Sequence, residues 1–321
     1  MFNKLMNNFY YGKSGKGDFR EQDLPKNRWQ LFWEMLRIRF SALMRLNLMY
    51  MICWLPAMVV LTLGVMSMLT QLTVDEEVTS EVITNLRTML SSISLTTLTL
   101  LIPCIAITGP FTAGIAYVTR NWARDEHAFI WADFKDAVKA NWKQGLAVSC
   151  ITGVVPFFAF VCWNFYGQMA QQSAFMIVPQ VLVLMVALIW SLAVTYMYPL
   201  MVTYKLRFRD LMRNALLLSV ARLPQSVGIR LLHCVPMAIA FVVALYQPVY
   251  AVMGLFLYYL VLGFGLSRFV TASYTNGVFD RYINSRIEGV EINRGLYTGS
   301  DDEDEDDEDE DDHSGDAQDP Q

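Results

Sequence analysis

The chain has 321 residues, 54% of them hydrophobic and only 17% charged, which is too apolar for a soluble domain of this size. Its formal charge of −5 hides a division: fourteen acids follow residue 300, and the body before them carries about +9. This balance points to a membrane-embedded body with basic ends, and no nucleic-acid partner, cofactor or metal is expected of it.

Residues 1–27 form a basic arm, expected to be flexible. Within it "GKSGKG" (12–17) has part of a phosphate-loop pattern, but the required earlier glycine is Asn7 and no strand precedes it, so a basic linker is the simpler reading. The next segment, 28–45, sets Trp29, Phe32, Leu36, Phe40 and Leu43 on one stripe and predicts an amphipathic surface helix. This polar stretch is too long for the n-region of a cleavable signal peptide, so the first apolar run is expected to stay as an anchor.

Charge-free windows then dominate. There are 29 uncharged residues between Arg45 and Asp75, 32 between Arg87 and Arg120, and 61 between Lys143 and Lys205; between Arg230 and Arg268 only His233 titrates. About 20 apolar residues cross a bilayer core as helix. Six spans are predicted, at roughly 46–71, 91–119, 145–167, 175–204, 228–246 and 248–268, with hairpins at 167–173 and 246–248. The domain boundaries expected are 1–27 for the arm, 28–290 for an all-α six-helix transmembrane domain with amphipathic surface helices, and 291–321 for a disordered acidic tail. With six spans, 24 of the 25 basic residues fall on one side. That asymmetry predicts two cytoplasmic termini. The five cysteines (Cys53, Cys104, Cys150, Cys162, Cys234) lie in predicted spans without metal spacing and read as packing residues.

Two stretches stand out. In the second span Pro103 and Pro110 flank Thr108 and Gly109, and Thr108, Gly109 and Pro110 are the best candidates for a helix break of the kind that builds binding sites near a bilayer midplane. After it, "FIWADFKDAVKANWKQ" places Trp131, Phe134, Val138 and Trp142 at helical spacing, with Asp133, Lys135, Asp136, Lys139 and Lys143 on the other side. This predicts a helix lying in the interface with aromatics at headgroup depth. "FRDLMRNALLLSVAR" (208–222) predicts a second such helix, and its "FRDLMRNA" echoes "FKDAVKAN" at 134–141, raising the prospect of a repeat of span, surface helix and span. The candidate docking surface is therefore Trp131, Phe134, Lys135, Lys139 and Trp142, with Arg209 and Arg213. His233, Asn164, Gln168, Gln180, Ser191 and Thr195 are the polar groups that a solute or proton path would use, or that would serve as interhelical hydrogen bonds. The run of twelve acids at 301–312 cannot bury a core and is expected to be disordered.

The run "RLNLMYMICWLP" (45–56), the block "ITGPFTAGIAYVTRNWARDEHAFIWADFKDAVKANWKQG" (107–145) and the overall layout resemble the bacterial YesL-like family of integral membrane proteins, over about 30–290. The longer N-terminal arm and the acidic tail depart from that pattern. No residue-level activity comes with the resemblance. It implies a multi-pass protein of the bacterial cell membrane with an accessory role in sugar uptake, beside the permease or ATPase subunits of a carbohydrate ABC transporter. The sequence alone leaves three readings: a non-enzymatic accessory protein of that kind, a carrier or channel for a small neutral solute such as a sugar, and a membrane scaffold without transport. Apart from the lipid bilayer, no partner is fixed by the residues themselves.

Overall fold

The computed structural model describes residues 24–72 and 79–297. Its helices are α1 (Arg28–Leu72), α2 (Ser80–Trp122), α3 (Ile130–Ala170), α4 (Ile177–Thr203), α5 (Phe208–Ala221), α6 (Leu223–Ala244), α7 (Pro248–Tyr258) and α8 (Phe264–Tyr282). A π turn at Tyr259–Gly263 joins the last two into one rod. Among the described residues six helical stretches are long and apolar enough to cross a membrane: α1, α2, α3, α4 with the short turn before it, α6, and the rod from Pro248 to Arg286. The fold is all-α, and it is that of a six-span membrane protein.

The spans are longer than a bilayer requires. α1, α2 and α3 hold 45, 43 and 41 residues. At 1.5 Å per residue each is about 60 Å or more, roughly twice a hydrocarbon core. The surplus lies at one end. Arg28 meets Asp280, Asn276 meets Arg120, Gln144 meets Leu206 and Tyr204 meets Asn284. These bonds gather the start of α1, the end of α2, the start of α3, the end of α4 and the end of α8 into one basic end. The opposite, hairpin end holds the end of α1, the start of α2, and the turns between α3 and α4 and between α6 and α7.

Two of the three expected surface helices are not separate. Residues 28–45 are the first turns of α1, and 130–144 the first turns of α3, each running unbroken into its span. The physical reason is local. Nothing between Lys143 and Gly145 stops a helix, and Gly145 is buried in a helix crossing. By contrast α5 is a helix of its own, because the chain leaves helical geometry at Arg222 (φ −119°, ψ 38°) and restarts with a proline in the first turn of α6. The two halves of the suggested repeat are thus built differently.

The predicted break in the second span is also absent. α2 is continuous through Pro103 and Pro110. Pro110 cannot donate to the carbonyl of Ala106, and the Ser149 hydroxyl of α3 fills that place at 2.6 Å. Thr108 donates to Ile105 O and receives on its own carbonyl the hydroxyl of Thr112, both at 2.8 Å. Gly109 faces Gly145: a Cβ on Gly145 would come within 2.9 Å of Gly109 O, and one on Gly109 would overlap the Gly145 backbone. Thr108, Gly109 and Pro110 therefore build a close crossing of small residues.

A second irregularity is real. The π turn at Tyr259–Gly263 frees backbone groups, and buried Asn47 of α1 meets them, donating to Tyr259 O (3.0 Å) and Leu260 O (2.8 Å) and accepting from Gly265 N (2.8 Å). The buried core is concentrated at the basic end. One cluster joins α1, α2 and α8 through Leu43, Leu46, Tyr50, Ile115, Trp122 and Phe269. The other joins α2, α4, α5 and α8 through Ala113, Tyr196, Leu200, Leu211 and Phe279. Towards the hairpins burial fades: α4 has no buried residue before Leu192, α3 none after Gly153, and α6 only Ser226.

Candidate docking cleft at the basic end

The first turns of α3 start with a polar cap. Asp133 accepts the backbone N–H of Phe129 at 2.7 Å, fixing the helix start after the turn at Arg124–Asp125. From there one face of α3 turns inward. Phe134 is 5% exposed, stacks on Phe111, and sits where a Cβ on Gly114 would collide with its ring. The candidate docking residue Phe134 is thus a core residue. The hydrophobic stripe expected on one face divides: Phe134 and Ala137 point to the bundle while Trp131 (66% exposed) and Trp142 (50%) point outward. Lys135 and Lys139 share the outward face, and Lys143 lies 5.5 Å from the Trp142 ring. Arg209 and Arg213 are exposed on α5.

Because α3 does not bend at Gly145, Trp131 stands about 20 Å further along the helix than the start of the apolar run. The stripe of Trp131, Lys135, Lys139 and Trp142 therefore lies on the part of α3 that precedes its apolar run.

Beside this stripe lies a cleft of about 1050 Å³. One wall is α3, with Asp133, Asp136, Asn141 and Lys143; the other is the end of α4 and the link to α5, with Tyr204, Lys205 and Arg207. Gln144 ties the walls, donating to Leu206 O at 2.9 Å. Its walls carry two carboxylates, both on α3, and three bases, Lys143 on α3 and Lys205 and Arg207 opposite, so the cleft suits a polar surface that bears both signs of charge. Tyr204 is held from behind: its hydroxyl donates to Asn284 at 2.7 Å, and burial, with Asp280 nearby, pushes the phenol up to about 12.

That Asn284 belongs to a clasp which sequence reasoning missed. Asp280, 7% exposed, accepts from Arg28 (2.6 Å), Asn284 (2.5 Å) and the backbone N–H of Asn293 (3.2 Å), while Arg28 also donates to Asn293 (2.8 Å). Glu126 adds ion pairs to Arg124 (3.3 Å) and Arg294 (3.4 Å). Leu296 packs on the first core cluster and Tyr297 N donates to Pro25 O. Residues 293–297, expected as the start of the tail, are therefore held against the body. The one signal available was Asp280 itself, the first acid after 69 residues without one. The acidic run at 301–312 and the glycine-lysine motif at 12–17 lie outside the described residues.

The other polar candidates serve the fold. Asn164 donates to Phe160 O in its own helix, and Gln180 reaches Trp163 O across the α3–α4 hairpin. Ser191 and Thr195 accept from Arg230, and His233 bonds Ser267 O. A second cavity, of about 410 Å³ between α3 and α4, is lined by groups such as Val155, Phe158, Leu182 and Val186 and offers a solute no polar path. Among the described residues all five cysteines are unpaired, and no three His, Cys, Asp or Glu side chains stand together at metal-ligand spacing.

Residues 88–163 match a family model described as "Protein of unknown function, DUF624". The match runs from α2 through most of α3, and so contains the small-residue crossing, the outward tryptophans and the α3 wall of the cleft. It encloses the 107–145 block, one of the stretches that carry the family resemblance, and leaves the other, 45–56, outside. No curated protein and no solved structure matches the chain.

Proposed function

We propose that this membrane protein is a non-enzymatic accessory subunit that docks a partner on its basic end. The observation that supports this is the outward stripe of Trp131, Lys135, Lys139 and Trp142 beside the charged cleft. Large aromatics left uncovered next to exposed lysines fit a protein interface better than they fit the solvated end of a helix. The basic residues gathered at this end support a cytoplasmic side for it under the positive-inside rule. Phe134 is not part of the surface; Arg209 and Arg213 extend it onto α5. From the family resemblance, the partner class we favour is the permease or ATPase of a carbohydrate ABC transporter in the bacterial cell membrane. The apolar lining of the cavity between α3 and α4 and the unbroken second span favour docking over the carrier reading.

The test is affinity purification of the tagged full-length chain from gently solubilised native membranes, with bound chains identified by mass spectrometry. Transporter subunits enriched over an unrelated six-span control, and reduced several-fold by Trp131→Ala with Trp142→Ala, are the expected result. Recovery of the protein alone, or enrichment that ignores those tryptophans, defeats the docking reading.

A further inference from the structure

Two arginines meet at the junction of α4, α6 and α8 without a counter-charge. Arg230 of α6 donates to Ser191 O and, at 3.1 Å, to Thr195 Oγ1, both on α4. Its Nε is buried and has no hydrogen-bond partner. One turn along α6, His233 lies 3.1 Å from Ser267 O and 3.4 Å from Thr271 Oγ1, which flank Arg268 on α8. The Arg268 guanidinium sits 5.5 Å from the centre of the Tyr198 ring of α4, and among the described residues it forms no ion pair. Thr195 and Tyr198, against which the two guanidinium groups lie, are one turn apart on α4, and His233 bonds the carbonyl of Ser267 next to Arg268.

No carboxylate of the chain's helices can answer them. There is no Asp or Glu from 137 to 209 or from 211 to 279, and none from 35 to 74 or from 82 to 124. The nearest acid along α8, Asp280, is twelve residues and so about 18 Å away, already engaged by Arg28 and Asn284. Fixed cations at membrane depth are found paired or facing a polar ligand. Here the pairing group has to come from outside the helices.

We propose that this junction binds a phosphate group, that of an anionic phospholipid headgroup. Depth and access both fit. Arg230 and Arg268 bound the last apolar window, as Arg45 and Lys143 bound two others, so the cluster lies at the basic-end edge of the apolar belt, where headgroup phosphates sit. α6 buries only Ser226, which leaves this side of the bundle open to lipid. The Arg268 guanidinium, partly exposed and without an ion pair among the described residues, presents the fork that matches phosphate oxygens, and Arg230 adds its charge behind it.

The experiment uses the full chain, delipidated in neutral detergent, with phosphatidylglycerol or phosphatidylcholine added back and bound lipid counted by native mass spectrometry. The wild type should retain phosphatidylglycerol about ten-fold more tightly. Arg230→Gln with Arg268→Gln should abolish that preference, and the lysine double variant should keep most of it. Arg87→Gln with Arg286→Gln, which removes the same charge elsewhere, should leave it intact. Should the glutamine pair fail to fold, Arg268→Gln alone is read, since that guanidinium lies over the Tyr198 ring and forms no ion pair among the described residues. A wild type without preference, or a glutamine variant that keeps it, overturns the site. Inorganic phosphate that binds the wild type and is not displaced by phosphatidylglycerol overturns the lipid as its source.

Discussion

The two ends of this molecule obey different physics. At the basic end α1, α2, α3, α4 and α8 continue beyond a bilayer's thickness and bury Trp122, Tyr196, Phe269 and Phe279 almost completely. Water surrounds that end, so burial of apolar surface drives its assembly as in a soluble domain. At the hairpin end Phe158, Leu182, Val186, Ile239 and Phe241 are left open. Lipid tails are as apolar as those side chains, so packing them together gains little and only close-fitting small residues hold helices there. The comparison teaches that the same helix can be a core element at one end and a lipid-facing rod at the other, with the change falling near Gly109 and Gly145.

The sharpest test lies within one helix. Phe134→Ala should cost about 3–5 kcal/mol, because it empties a fully packed ring site between Phe111 and Gly114. Trp131→Ala, three residues earlier and exposed, should stay within about 0.5 kcal/mol. Thermal unfolding in one detergent compares the two. Equal losses would mean that the first turns of α3 are not a core element at all.

Next in size is the boundary between the ends. Gly109→Ala puts a methyl against the Gly145 backbone, which cannot rotate away, and should cost about 2–3 kcal/mol. Gly64→Ala at the hairpin end meets the Thr97 side chain, with Oγ1 2.5 Å away, and that side chain can turn, so the loss should be under about 1 kcal/mol. If Gly64→Ala proves the more damaging in the same assay, the hairpin end is packed more firmly than its exposure indicates.

The Asp280 clasp gives a smaller effect. Asp280→Ala strands Arg28, Asn284 and the Asn293 N–H together, but Arg28 is a third exposed and water can replace part of the pair, so about 1–2 kcal/mol is expected. Segment 293–297 should also become cleavable by protease in the folded protein. A variant whose 290s segment stays protected would show that Leu296 and the Arg294–Glu126 pair hold it unaided.

The spans were legible in the sequence because a charge-free window of 29 to 61 residues admits few other structures, and the crowding of bases on one side of six spans marked the end that bears them. α5 was legible for the same periodic reason. What failed was local. Trp131, Phe134 and Trp142 are all aromatic at helical spacing, yet a 60° rotation about the helix separates Phe134 from Trp131, and only the position of α2 decides which faces inward. Pro110 announced a break because its neighbours were unknown: the hydroxyl that repairs Ala106 O comes from Ser149, forty-three residues later. The Asp280 clasp was hidden likewise, since Arg28 lies 252 residues away and no local pattern joins them.

The smallest expected effect is also the one with the opposite sign. Gly254 lies within α7, and a Cβ added there meets nothing within 4 Å. In a helix interior glycine costs about 0.5–1 kcal/mol relative to alanine, through the freedom it has in the unfolded chain. Inside a membrane part of that freedom is already gone, because the span stays helical when the bundle comes apart. Gly254→Ala should therefore stabilise by about 0.5 kcal/mol or less, while Gly109→Ala, the same chemical change, destabilises by several times that. A measurable loss at Gly254 would mean that another surface covers α7 in the assembled protein. The face of α7 around Gly254 would then have to be counted with the packed end.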